Sequence, residues 1–401
     1  MSTLKVDAIR HNSATSDAIT TASDGTCTAR ITGMTGGGQL SHRNIIINGA
    51  MMIAQRGTSS TSTNYATVDR FRTATTGVDE ACTYEQVDVA SGTTPYTLGF
   101  RKAFKITNGN QTSGAGATDR VEVMTRLEAQ DIANSGWNYT SSSSFVTLSF
   151  WIKSSVAQNF FARIQSQDGT AQRYAIETGS LTADTWTKIT KTIPGNSNLQ
   201  FDNNSAEGLR ISLYGFLGTD NTDSSSLNTW AASADGNRTP DQTSTWYTTN
   251  DATLEMTGFQ LEVGDTATSF EHRSYGEELS RCQRYYEMIG FSAGTGVQAT
   301  VAFGMQYTTN GAFYGDIVYK QTMRAIPTLD SNNSTGDNET FELFSASNSN
   351  GIKFNSLDGI TGQDTRALTV YKNSVSATGG DASYLRMEPD AGKTFGLSAE
   401  L

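Results

Sequence analysis

The sequence predicts a mainly all-β chain: an N-terminal attachment arm, a jelly-roll β-sandwich, one connecting helix and a C-terminal β-domain. Three observations lead there. Gly, Ser, Thr and Asn are abundant and charged residues make up only 17% of the chain, a composition poor in strong helix formers and rich in turn residues and strand-compatible Thr. Strand-like runs recur between turn signals. A helical period occurs in one place only. At 401 residues the chain is too long for one ordinary core and divides into two or three domains.

Residues 1–43 carry few large apolar side chains and close on a flexible run containing Gly33, Gly36, Gly37 and Gly38. Short alternating pieces, Leu4, Val6 and Ile9 and then Ala29 to Thr32, have the pattern to add strands to a partner or to sister copies. This is the expected arm.

A folded domain over 44–275 opens on Ile45, Ile46, Ile47, Met51, Met52 and Ile53, a density that predicts a buried strand or strand pair. Further strands are predicted at Arg101–Thr107, Phe145–Lys153, Asn159–Gln165, Trp186–Ile193, Leu209–Leu217 and Thr253–Val263. Many strands without intervening helices make a sandwich or barrel. Val146, Leu148, Phe150 and Ile152 share one face at period two, and Trp151 breaks the polarity of the other. In Thr253–Val263 the apolar set changes face between Met256 and Phe259, which predicts a bulge or bend at Gly258. Bent strands of this kind suit a jelly roll.

The helix is expected at the connection, residues 276–290, where Tyr275, Leu279, Cys282, Tyr286 and Ile289 alternate steps of four and three. Ser274 and Glu277 form the capping box that starts it. Its stripe fits either the covering of its own sandwich or a short coiled coil on a three-fold axis. From 291 to 401 strands return, as in QATVAFGMQY, FYGDIVYK and ALTVYK, around a polar loop at Ser331–Glu339.

A net charge of -11 without a basic stripe argues against nucleic acid as a partner. No apolar run is long enough to span a bilayer, so no membrane insertion is expected, and the first residues lack a signal-peptide pattern. A soluble protein made in the cytoplasm follows as the expectation. Cys27, Cys82 and Cys282 are isolated in sequence and read as buried small residues. No catalytic residue, cofactor or metal is expected. His11, His42 and His272 are too scattered for a triad or a His-rich metal site, and Asp220, Asn221, Asp223 and Asp235 read as a solvated loop before they read as Ca²⁺ ligands.

Sugar recognition needs aromatic faces to stack on a pyranose and polar groups to pair with its hydroxyls. Two stretches have that mix: Trp137 and Tyr139 in a Ser-rich loop, and Trp230, Asp235, Asn237, Arg238, Asp241, Trp246 and Tyr247 in a long one. The competing use of the same rings is to plug the ends of the sandwich.

NIIINGAMMIAQRGTS with VDRF at Val68–Phe71, then VTLSFWIK, Thr185, Trp186 and TGFQLEVGDTATSFEHRSYGEELSRCQRYYE, together resemble tail-fibre and related virion proteins of bacteriophages and prophages, especially those of marine bacteria. The match covers about 44–290. STLKVDAIRHNSATSDAITTASDGT also resembles the segment by which such proteins attach to the particle. The resemblance implies a virion location, assembly in the host cytoplasm, a homotrimer, a jelly roll akin to carbohydrate-binding modules, other tail or capsid proteins as partners through the arm, and host-surface glycan as a ligand. No extended heptad shaft is present, so an architectural connector or capsid-decorating fibre is the alternative.

Overall fold

The computed structural model describes residues 6–10, 18–23, 27–29, 42–223, 226–291, 299–332, 340–387 and 394–401. Two six-stranded antiparallel sheets form a sandwich. In spatial order the first sheet runs Trp230–Ala232, Gln172–Ser180, Asn159–Ser166, Glu207–Leu217, Arg120–Glu128 and Phe71–Thr76. The second runs Thr187–Pro194, Phe145–Ser154, Thr253–Val263, Lys102–Thr107, Thr83–Asp88 and Ser59–Ser60. Their inner faces share one apolar cluster, to which Val121, Val123, Ile164, Ile211 and Leu213 contribute from the first sheet and Val146, Leu148, Phe150 and Ile152 from the second. Phe150 and Phe259 stack within it, ring centres 4.7 Å apart. The all-β jelly-roll reading holds.

The six strands expected from the sequence are present with ends moved by at most two residues. The bulge falls where the apolar set changes face: pairing with Phe145–Ser154 slips between Thr257 and Gln260. Gly258 sits there at φ +69°, where an added Cβ would lie 2.7 Å from the Phe100 ring. Only glycine adopts that conformation cheaply in that space.

Two local expectations are corrected. Residues 44–53 are buried at Ile46, Met51 and Ile53 but form turns, not strands. The Asn48 side chain replaces the ladder, donating from Nδ2 to the carbonyls of Ile53 and Asp69, both at 2.8 Å, and accepting from Ile53 N–H at 3.0 Å. The helix covers only Tyr275–Gln283. Ser274 caps it, its hydroxyl accepting from Glu277 N–H at 3.3 Å. The expected continuation to residue 290 is instead the strand Tyr286–Phe291, which holds Tyr286 and Ile289 and pairs with Thr394–Ser398. Ladder bonds to a distant strand override the local helical period. Cys282, Tyr285 and Tyr286 are all buried in the chain itself, whereas Tyr275 is exposed.

Beyond the helix a seven-stranded sheet has a separate apolar cluster that includes Phe313, Ile317, Leu343, Leu368, Val370 and Leu385. A three-stranded sheet of Tyr286–Phe291, Thr394–Ser398 and Thr328–Asn332 adjoins it. In the N-terminal segment, Ala8–Ile9, Ile19–Thr21 and Cys27–Ala29 pair with one another, leaving Val6 and Ile9 exposed. Leu4, His11 and the glycine run of the expected arm lie outside the described residues. Cys82 and Cys282 are free and buried. Among the described residues no helix is long and apolar enough to cross a membrane.

Candidate functional site

Residues opposite one another in an antiparallel pair share a face, so the register of the first sheet lays out its outer face in rows. One row reads Ala175, Arg163, Ser212, Met124, Arg72. The next reads Arg173, Gln165, Arg210, Arg126, and a third Glu177, Phe161, Tyr214, Glu122, Ala74. Arg120, two residues before Glu122, shares that face. Arginine is therefore concentrated on one face of a chain whose net charge is -11.

The segment after Glu207–Leu217 adds Asp235 and Arg238 to this face, and the result is a cavity of about 120 Å³ lined by Arg72, Ala74, Arg120, Glu122, Met124, Arg163, Gln165, Arg210, Asp235 and Arg238. Some of its guanidiniums are held from inside the chain. Arg210 donates to both oxygens of Glu207 at 2.6 and 3.0 Å, Arg238 to Asp235 at 2.9 Å, and Arg72 to the Asn64 side-chain oxygen at 2.7 Å. Arg120 lies 3.8 Å from Glu122.

Other groups are not satisfied. Among the lining residues, Arg163 Nε, Glu122 Oε1, Gln165 Oε1 and Arg238 Nε are buried without a hydrogen-bond partner among the described residues. Arg163 is 4% exposed and Tyr214 fully buried. Burial pushes the Tyr214 phenol up to about 12, with Arg163 pulling the other way. Burial, and then the charge of Arg126, lowers Arg72. Orphaned polar atoms each cost desolvation free energy, and several of them line this one cavity.

The sequence-named sugar residues separate into two groups. The rings are structural, which corrects the stacking reading for Trp137, Trp230, Trp246 and Tyr247, all buried. Trp246 packs edge-on to Phe160 with Nε1 donating to Thr253 O at 3.1 Å. Tyr247 stacks on Phe216 at 4.6 Å, its hydroxyl bonded to Asp119 at 3.1 Å. Trp230 lies against Tyr174 and donates to Pro194 O at 2.7 Å. Trp137 and half-buried Tyr139 close the sandwich around Phe201. Of the polar members, Asp235 and Arg238 line the cavity, whereas Asn237 accepts from Ala234 N–H to shape the turn, and Asp241 accepts from Thr222 Oγ1. The strand Arg120–Glu128, which supplies three lining residues, was missed. Its signal was Val121, Val123, Thr125 and Leu127 alternating with charged residues and Met124.

A second exposed surface lies on the seven-stranded sheet. Register places Phe344, Tyr384 and Phe303 in one row and Met305, Tyr314 and Tyr371 in another, all on the face away from the core. Phe344 and Tyr384 stack at 5.2 Å. Phe303 is 72% exposed, Tyr307 70% and Val318 75%, where the solvated face of an antiparallel sheet is ordinarily polar.

Among the described residues no group of His, Cys, Asp and Glu could hold a metal ion. No family model matches the chain, and no curated protein matches it. Solved structures to which it is similar include the enzymatically active domain of tailspike protein 4 of bacteriophage CBA120, at 10% identity over 55% of this chain and 22% of that one, TM-score 0.30. Others are the N-terminal cellulose-binding domain of a Cellulomonas fimi β-1,4-glucanase (11%, 53% and 97%, TM-score 0.25) and a family 11 carbohydrate-binding module of Clostridium thermocellum in complex with a mixed-linked tetrasaccharide (13%, 54% and 98%, TM-score 0.23). At such TM-scores the superposition is loose, and the fold assignment stands on this chain's own strand pairing.

Proposed function

We propose that the chain is a non-enzymatic structural protein of a bacteriophage particle, of tail-fibre type, whose jelly roll binds host-surface glycan and so contributes to adsorption. The phage reading is supported by the sequence segments quoted above. The glycan reading is supported by one observation: the cavity on the first sheet, where buried donors and acceptors converge without partners. A saccharide presents the dense set of hydroxyls such groups require.

Self-association into a homotrimer belongs to the same reading. Cys282 of the helix is buried within the chain while Tyr275 is exposed, and the aromatic face of the seven-stranded sheet is the surface for contact with sister copies. The N-terminal 43 residues join the protein to other tail or capsid proteins. Deleting them leaves a folded oligomer that no longer enters the particle; a truncated protein that still assembles removes the attachment role.

A glycan array probed with the full chain tests the binding function. Selective retention of saccharides supports it. Binding to none of them, with particle imaging that places antibody label at a connector or on the capsid, favours a purely architectural role.

A further inference from the structure

Resting on that glycan reading, we infer that the jelly-roll cavity is selective for an anionic saccharide, one carrying a carboxylate, sulfate or phosphate group, and that Arg163 is its principal anchor.

The charge balance of the site carries the inference. Five guanidiniums line the cavity against the carboxylates of Glu122 and Asp235. Glu207, close by, is engaged by Arg210 through both oxygens. Asp235 is almost wholly in water, its side chain 96% exposed, so its pairing with Arg238 is screened. A neutral ligand would leave this excess positive charge as it is.

Arg163 is the distinctive member. It projects from the middle of the sheet between Ala175 and Ser212, is 4% exposed, and its Nε is buried without a hydrogen-bond partner among the described residues. A guanidinium removed from water without a counter-charge destabilises a fold. A residue of this kind is retained where its charge acts on something outside the chain, and a planar fork suits bidentate pairing with a carboxylate or a sulfate or phosphate oxygen pair. Gln165 on the same strand and Glu122 also line the cavity, each with a side-chain oxygen that has no hydrogen-bond partner among the described residues, and these oxygens accept from the sugar hydroxyls.

The test is an array holding neutral chains beside uronate-bearing, sialylated, sulfated and phosphorylated ones, followed by titration of the strongest acidic chain and of inorganic sulfate. The acidic chains are expected to be retained over their neutral counterparts, with affinity falling as salt is raised. Arg163→Gln should weaken that binding about tenfold or more, the loss of one charge-assisted pair. Its thermal midpoint should stay unchanged or rise, because an unpaired buried charge has been removed. Arg163→Lys, which keeps the charge but not the fork, should fall between. Equal retention of neutral and acidic chains overturns the anion selectivity and leaves the glycan reading standing. Sulfate binding without any saccharide overturns both. A variant with undiminished binding overturns the role of Arg163.

Discussion

The guanidinium of Arg70 lies 3.5 Å from the centre of the Tyr285 ring and forms an ion pair with Glu400, while its other nitrogen donates to the Arg126 carbonyl at 2.7 Å. Arg70 belongs to the sandwich, Tyr285 to the turn after the helix, and Glu400 to the last residues of the chain. The neighbouring Arg56 repeats the arrangement, 3.4 Å from the Tyr286 ring centre and 3.2 Å from Glu400. Two cation–π contacts and a shared carboxylate therefore tie the sandwich to the C-terminal part.

Arg70 is fully buried at this junction, so Arg70→Ala leaves Glu400 and the Arg126 carbonyl short of a partner. Breaking a buried pair from one side costs about 3–5 kcal/mol. Chemical denaturation should show that loss, with the C-terminal part melting before the sandwich. A variant within 1 kcal/mol or so of wild type would mean the junction is solvated.

The burial of Trp246 fixes the outcome of a second substitution. Gly215 admits the indole so closely that an added Cβ would lie 2.7 Å from Cζ3. Removing the ring leaves a cavity in a close-packed core, and Trp246→Ala should cost about 3–5 kcal/mol. Trp230→Ala, at the sandwich edge and 9% exposed, should cost less. Loss of adsorption by the pair would then report unfolding, and a thermal transition left unchanged by both changes would return the rings to the list of stacking faces.

Strand positions were legible because the inner face of each strand repeats at period two, as at Val146 to Ile152. The bulge was legible for a related reason, since only Gly258 stood where the apolar set changed sides. The cavity was not. Its Arg163, Arg210 and Glu122 come from strands far apart in sequence, and only the register between them brings the charges to one face. The Trp and Tyr of the long loop misled, because an aromatic beside polar residues looks the same whether it faces a sugar or a core. Tyr286 and Ile289 misled differently: four-and-three spacing over two turns is also compatible with a strand once a partner such as Thr394–Ser398 exists.

Asp69 makes part of the stability depend on pH. It is 1% exposed, and burial pushes its carboxyl from 3.8 up to about 6, against the hydrogen bond from Gln55 and the charge of Arg56. The folded state thus holds this proton to higher pH than the unfolded chain. Its contribution is fully present below about pH 4 and is lost as pH rises through about 6, by about 3 kcal/mol for a shift of two units. Glu128 and Glu271, held below the ordinary carboxylate range by arginine and backbone partners despite burial, act in the opposite sense. Comparison of Asp69→Asn with wild type by denaturation between pH 4 and 8 isolates the one group. The variant should gain on wild type as pH rises through that window, and a constant difference would mean that Asp69 titrates normally.

The aromatic face of the seven-stranded sheet yields the last prediction. Phe303, Met305, Tyr307, Tyr314 and Val318 stand on the side opposite Phe313, Ile317 and Leu368, so removing them opens no cavity in the core. Each apolar ring left in water forgoes about 25 cal/mol per Å², and burying the patch between copies recovers it. Phe303→Ser combined with Tyr307→Ser should therefore leave the thermal transition of the separated chains nearly unchanged while converting the oligomer to monomer in light scattering at micromolar concentration. Loss of multivalency then weakens adsorption by about two to four orders of magnitude even though each jelly-roll cavity is intact. If the double variant remains oligomeric but no longer binds glycan, the face is a stacking platform for saccharide instead. If wild type itself scatters as a monomer, the trimer is removed altogether and the exposed rings need another occupant.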